Sequence, residues 1–360
     1  MSSDLHKGLL TRGRVVDRLA PILVRARPLL DSRRSASVRP FDDSAIMRPE
    51  VDSTLWGWTH YGFFIPDLPE PFRYVNTMTL IGATGTRIFD NGVIAAQDAR
   101  KNATVFGSTA YGNHHHYRAY DAERDCDFAV DGSRLRWGDD LSIECAHPEY
   151  RVSGRYESFS IDLTLQATDQ VSYFVRTPIY QHFSVLAPYR GTVTSGGESV
   201  AVEGLGTVEY ARSVSPQVFR STAIGPGLRL PVDFFTYQVV PLNSTTQLLL
   251  TDVRANGTTA CRLAQIRRST GGPAEIAEDV QFQVVEYQPE LLADTAGVPM
   301  RVPAVMRWDV GGRGHLDCVV DAPMRTGHGR GFSSAYSFTG EWDGEKVAGS
   351  AYLEWIDCEG

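Results

Sequence analysis

The sequence lacks what would mark several large protein classes. No apolar run approaches the ~18–20 residues that a membrane-spanning helix needs, and the short run Leu19–Val24 is broken by Pro21. No basic stretch followed by an apolar core and a small-residue cleavage site opens the chain, so no secretory leader is expected. Arg33-Arg34 precedes Ser-Ala-Ser rather than an apolar segment, which argues against a twin-arginine signal. Cysteine is scarce: Cys126, Cys145, Cys261, Cys318 and Cys358 are scattered, and no Cys-x-x-Cys pair occurs. That pattern reads as reduced, structural thiols in a cytoplasmic protein. Positive charge is also short. Lys+Arg number 35 against 43 Asp+Glu, a net charge of −8, which excludes a nucleic-acid partner held by phosphate neutralisation.

What charge there is lies unevenly. Lys7 to Arg34 holds eight Lys/Arg and two Asp, a local net of +6, so the remainder carries −14. Leu9, Leu10, Val15, Val16, Leu19, Ile22 and Leu23 recur at roughly helical spacing within it. A helical arm packed on the body is one reading. A peripheral membrane contact through anionic lipid is the other.

From about residue 50 the pattern becomes that of strands. Phe159, Ile161, Leu163 and Leu165 alternate with polar residues, as do Val280, Phe282 and Val284. Such period-two alternation marks antiparallel sheet with one wet face. Asn91-Gly92, Asp131-Gly132, Asn256-Gly257 and Asp343-Gly344 suit tight hairpin turns. No long helical pattern separates the strands, which excludes a parallel α/β sheet.

One internal echo organises the chain. Val202-Glu-Gly-Leu-Gly-Thr-Val-Glu209-Tyr210 matches Val347-Ala-Gly-Ser-Ala-Tyr-Leu-Glu354-Trp355 at an offset of 145 residues. Each copy follows a Gly-rich turn, as if two similar barrels closed with the same strand. The expected boundary lies near the Pro/Gly cluster 214–227, giving a basic arm (1–45), a first domain (46–215) and a second (216–360). Glu354 and Trp355 read as a structural echo of the first copy.

Familiar chemical motifs fail in detail. Gly204-Leu-Gly206 lacks the third glycine of a dinucleotide fingerprint, and Gly82-Ala-Thr-Gly85 lacks the lysine of a P-loop. Gly331-Phe-Ser333-Ser-Ala335 has no following helix to form a nucleophile elbow. His114, His115 and His116, with Asp121 or Glu123, have the residue types of a metal site, but no second motif supplies another histidine. No metal and no cofactor is expected. Polar and aromatic residues instead gather at Trp56, Trp58, His60, Tyr61 and Phe63, at Tyr180 and His182, and at Glu209-Tyr210. Together they suggest a concave, mostly apolar pocket with a few polar groups.

Three of these segments carry a resemblance over about residues 50–360. Trp58-Thr-His60-Tyr61-Gly-Phe-Phe-Ile-Pro-Asp, Tyr173-Phe-Val-Arg-Thr-Pro-Ile-Tyr180-Gln-His182 and Val202-Glu-Gly-Leu-Gly-Thr-Val-Glu209-Tyr210 resemble the double lipocalin-like proteins. That group includes carotenoid 1,2-hydratases, tocopherol-cyclase-like proteins and several Diels–Alderases. The resemblance implies an all-β fold of two lipocalin-like antiparallel β-barrel or sandwich domains behind the short N-terminal helical arm. In the hydratase motif Gly-x-Gly-Tyr-x-Asp-His-Asn-Trp-Gly, Glu209 takes the Asp position and Tyr210 the His position, and the Asn-Trp-Gly is absent here. The implied activity is hydration, cyclisation or isomerisation of a C=C bond in a lipophilic isoprenoid-like molecule. Glu209, neutral by burial, would donate the proton; Tyr210 and Tyr180 with the tryptophans would stabilise the cation; His60 or His182 would take a proton from water. Trp56, Trp58, Tyr61, Phe63 and Tyr180 would bind substrate. The alternative is a non-catalytic carrier or stress protein docking at membranes.

Overall fold

Among the described residues, alternating sequence and tight turns build two large curled antiparallel sheets, a small two-stranded one and almost no helix. The computed structural model describes residues 30–42 and 44–359. Most of the basic arm, to residue 29, therefore lies outside the described residues. What is described of it includes a five-residue helix, Arg33–Ser37, against the strand Val171–Arg176. Arg33 and Arg34 both reach Glu278, in the link between two strands of the second sheet, so this short stretch ties the two halves together.

The first sheet runs from edge to edge through His115–Asp121, Asn102–Ser108, Val75–Gly82, Trp58–Ile65, Glu198–Ser213, Tyr180–Ser195 and Ser160–Gln166. It continues through Glu149–Arg155, Leu141–Ala146, Arg134–Trp137 and Cys126–Phe128. The second runs through Glu275–Ala277, Thr258–Arg268, Thr246–Ala255, Val232–Pro241, Glu345–Asp357, Gly331–Trp342, Gly314–Val319, Pro303–Val310 and Val280–Tyr287. Each sheet places its last long strand beside its first, Glu198–Ser213 on Trp58–Ile65 and Glu345–Asp357 on Val232–Pro241. The two echoed segments are these closing strands.

The turns follow from residue type. Asn256-Gly257 and Asp343-Gly344 each form a two-residue hairpin loop with both residues at positive φ, where asparagine, aspartate and glycine are tolerated. Gly196-Gly197 makes the equivalent hairpin before the first closing strand.

Inside the first barrel, Tyr61, Phe63, Phe183, Val208 and Tyr210 pack into one core. Phe234, Phe282, Trp308 and Trp355 fill the second. The alternate residues of the same strands face the other way and bring the sheets together. Phe64 stacks on Tyr352 with ring centroids 5.1 Å apart and meets Tyr237 edge-on at 5.7 Å. Fully buried Gln265 and Arg267 donate to the Tyr173 and Ser184 carbonyls of the first sheet at 3.0 and 3.1 Å. Trp58–Ile65 is consequently buried along its whole length, one face in a barrel and the other in the join.

Candidate active site between the two sheets

The site is set by strand register. Cross-strand partners share a sheet face, so Glu209 lies beside Gly62 on one side and Ser184 on the other. Two residues along those strands, His60 and His182 both pair with Ala211 on that same face. The small Ala211 side chain leaves the two imidazoles room to lean toward Glu209. Gly62 keeps the other side open: a Cβ there would sit 2.8 Å from His60 Nε2 and 2.7 Å from the Phe64 ring.

His182 Nε2–H donates to Glu209 Oε1 at 2.8 Å, and the Tyr180 hydroxyl reaches His182 Nδ1 at 3.4 Å. His60 Nδ1–H donates to the Thr79 carbonyl at 2.7 Å, which leaves its Nε2 3.7 Å from the same Glu209 oxygen. Burial alone pushes the Glu209 carboxyl up. His182 and then His60 outweigh it and hold the group down at about 2. It stands as a carboxylate, not as the neutral acid the sequence suggested.

These groups open into a cavity of about 340 Å³ between the two sheets, with mostly apolar walls. The opposite wall carries Glu354, the residue the echo paired with Glu209. Its cross-strand neighbours are Tyr237 and Ser333. The Tyr352 hydroxyl donates to Glu354 Oε1 at 3.0 Å, and His328 Nε2 approaches Oε2 within 3.2 Å. Burial, and then the Glu209 charge, push the Glu354 carboxyl well above the usual range; the bond from Tyr352 offsets only part of this. His328 is pushed down to about 3, first by burial and then by His60 and His182, so it is a neutral imidazole. One cavity thus holds an ionised and a neutral carboxyl. That arrangement separates the roles of base and acid.

Of the residues expected from sequence, Trp58, His60, Tyr180, His182 and Glu209 line this cavity. Tyr61, Phe63 and Tyr210 do not. They belong to the opposite faces of the same strands and fill the first barrel, where Tyr61 and Tyr210 donate to the Met47 and Arg48 carbonyls at 2.9 and 2.7 Å. Adjacent strand residues point to opposite faces, so Glu209 and Tyr210 cannot serve one site. Trp56 lies just before its strand, half-buried under the Arg212 guanidinium at 4.4 Å. Glu354 was visible as an echo but read as structural. Tyr237, Thr251 and His328 carry no local signal that marks them as cavity residues.

The triple histidine disperses. His114 lies between Thr109 and the Ser195 hydroxyl and stacks on Phe159 at 4.7 Å; His115 reaches the Thr326 carbonyl; His116 stacks on Tyr156 at 4.7 Å. Among the described residues, no three His, Cys, Asp or Glu side chains converge as metal ligands. No disulfide joins the described cysteines, and no described helix is long and apolar enough to cross a membrane.

Two curled sheets joined face to face through a lined cavity define a double lipocalin-like fold. Solved structures agree on that fold. The chain is similar to kievitone hydratase from Nectria haematococca, with 14% identity and a TM-score of 0.58 over 90% of this chain and 94% of that one. It is similar to a protein of Nitrosomonas europaea assigned as AttH, with 14% identity and a TM-score of 0.57 over 84% and 92%. It is also similar to CghA in complex with Sch210972, with 10% identity and a TM-score of 0.50 over 84% and 89%. No curated protein sequence matches the chain. Residues 78–360 match the family of unknown function DUF6670, and the chain belongs to that family.

Proposed function

We propose that the protein is an acid–base enzyme that adds water to, cyclises or isomerises a C=C bond of a lipophilic, isoprenoid-like small molecule. The observation that carries this reading is the pair of cavity carboxyls whose surroundings set them in opposite protonation states.

The acid is assigned to Glu354. Protonating an alkene needs an O–H held neutral at working pH, and Glu354 is the carboxyl kept neutral by burial and by the charge across the cavity. The base is assigned to Glu209, backed by the His182–Tyr180 relay and by His60. For water addition, the π electrons of the alkene form a C–H bond with the Glu354 proton, leaving a carbocation and the Glu354 carboxylate. A water then forms the C–O bond and passes one proton to Glu209. Proton return from Glu209 to Glu354 through solvent resets the site. In cyclisation an internal nucleophile takes the place of water, and in isomerisation Glu209 removes a proton from carbon. The ring faces of Trp58 and Tyr180 on the cavity wall favour a cation by ~0.5–2 kcal/mol each.

A second reading, a carrier for the same class of molecule that docks at membranes, is favoured by Phe219. This residue is 88% exposed in the linker that also lends Gln217 to the cavity wall. Solvent extraction of the protein from its own host, followed by mass spectrometry and incubation of the recovered compound with fresh protein, separates the two. The enzyme reading predicts conversion that Glu354→Gln abolishes. Retention of an unchanged compound by both proteins would overturn it in favour of the carrier.

A further inference from the structure

The cavity opens where two loops meet. Of the residues that line it, Gly92, Ile94, Ala223 and Leu230 are the exposed ones, and all four belong to the segments 83–99 and 214–231. Hydrogen bonds hold the two segments side by side: Leu230 N–H donates to the Gly85 carbonyl at 2.6 Å, and Ala99 N–H to the Ser221 carbonyl at 2.7 Å. Around this mouth apolar side chains face outward. Phe219 is 88% exposed, more than any other large apolar residue described, and Ile94, Leu228 and Leu230 are 39%, 37% and 37% exposed. The exposure of Phe219 is built into its turn. Buried Gln217 donates to the Arg220 and Thr222 carbonyls at 2.7 and 3.0 Å and accepts from Ile224 N–H at 3.1 Å, which fixes the turn with Phe219 on its outer side. Apolar side chains grouped at the entrance of an apolar cavity mark a contact surface.

Charge indicates what meets this surface. Residues 210–232 contain three arginines and no Asp or Glu, in a chain whose net charge is −8. Residues 91–97 of the other loop carry no charge. Arg212 is paired with Glu50, and Arg229 lies 4.0 Å from Asp90. Exposed Arg220 bonds only the Thr222 hydroxyl, so its charge is not neutralised by the protein. Apolar groups beside unneutralised positive charge match an anionic lipid surface, where rings and aliphatic chains enter the acyl boundary and guanidinium groups meet phosphates. We propose that the cavity mouth is a membrane-docking surface: Phe219, Ile94, Leu228 and Leu230 enter the headgroup region of an anionic bilayer, Arg220 meets its phosphates, and the ligand passes from the bilayer into the cavity without crossing water. This inference rests on reading the cavity as the site of a lipophilic molecule. It serves an enzyme and a carrier alike, and it assigns the docking to the linker between the halves instead of to the basic arm.

Co-sedimentation of the full chain with vesicles tests this, using phosphatidylcholine alone and an equimolar mixture with phosphatidylglycerol. The expected result is binding to the mixed vesicles that weakens as salt is raised. Phe219→Ser should reduce that binding by about 10-fold, through the apolar area it no longer buries. Arg220→Glu should reduce it by about 10-fold or more, since it removes one attraction and adds one repulsion. Both side chains are exposed, so denaturant unfolding should stay unchanged in either variant. No binding to the mixed vesicles would overturn the docking surface. Binding that both substitutions leave intact would also overturn it and move the contact to the basic arm. Association of the protein with itself in the absence of vesicles, abolished by Phe219→Ser, would overturn it in favour of a contact between copies. Each of these failures leaves the proposed function standing, because that reading is judged by conversion of the extracted compound without vesicles.

Discussion

Glu209 and Glu354 occupy the same position of the same strand motif in two halves of one chain, and their surroundings leave one charged and the other neutral. Around Glu209 the flanking strands supply Gly62, His60 and His182. At the matching positions around Glu354 they supply Tyr237, Phe235 and Gly331. Imidazoles in the first half stabilise the anion. In the second, rings and glycine flank the carboxyl, Tyr352 donates to it and the His328 imidazole 3.2 Å away is held neutral by burial, so desolvation prevails. The difference teaches that a duplicated strand gives a site two roles when the residues beside it diverge, even though the acid itself is retained. Each carboxyl also acts on the other. The charge held on Glu209 is the second largest cause keeping Glu354 neutral.

The sharpest way to break this comparison is to remove the acid. Glu354→Gln should lower kcat on the extracted substrate by about 100- to 10,000-fold, the usual share of general acid–base catalysis. Phe64→Ala attacks the join itself. Phe64 contacts Tyr352 and Tyr237 across the two halves, so its loss should cost about 3–5 kcal/mol in denaturant unfolding and weaken ligand binding.

A pH series then separates the carboxyls by sign. Folded Glu354 keeps its proton above the pH at which an unfolded glutamate loses it, so rising pH erodes wild-type stability through that window. Glutamine does not titrate. The stability advantage of Glu354→Gln should therefore grow by up to about 1.4 kcal/mol per pH unit above pH ~4.5. Glu209 has the opposite sign. Its depressed value adds stability that is present above the ordinary glutamate range and is lost as pH falls toward about 2, so Glu209→Gln should matter least in strong acid.

How much of this was legible follows from strand geometry. The echo located both closing strands, and Asn256-Gly257 and Asp343-Gly344 located two hairpins of the second sheet, because turn chemistry is local. Which face of Trp58–Ile65 meets the cavity was not legible. All eight of its residues are buried, so hydrophobic alternation cannot distinguish barrel interior from sheet join. Hence Tyr61, Phe63 and Tyr210 looked as eligible as Trp58 and His60. His328 was invisible for another reason. It arrives on the short strand Arg325–His328, more than a hundred residues from Glu209, and only tertiary packing brings it to Glu354.

Two smaller changes sharpen the assignment. Gly62→Ala places a methyl against His60 Nε2 and Phe64, so His60 should move from Glu209 and turnover should fall several-fold, with His182 still in place. Tyr210→Phe removes a hydrogen bond to the Arg48 carbonyl inside the first barrel. It should cost about 1 kcal/mol of stability and leave turnover unchanged, a result that a catalytic Tyr210 would contradict.

The central claim is the split protonation of the two cavity carboxyls, and infrared difference spectroscopy of Glu354→Gln and Glu209→Gln against the unmodified protein at neutral pH reads it directly. The predicted result is a buried protonated-carboxyl C=O band that disappears in Glu354→Gln and persists in Glu209→Gln. Loss of that band in Glu209→Gln alone, or its absence from the unmodified protein, would contradict the account.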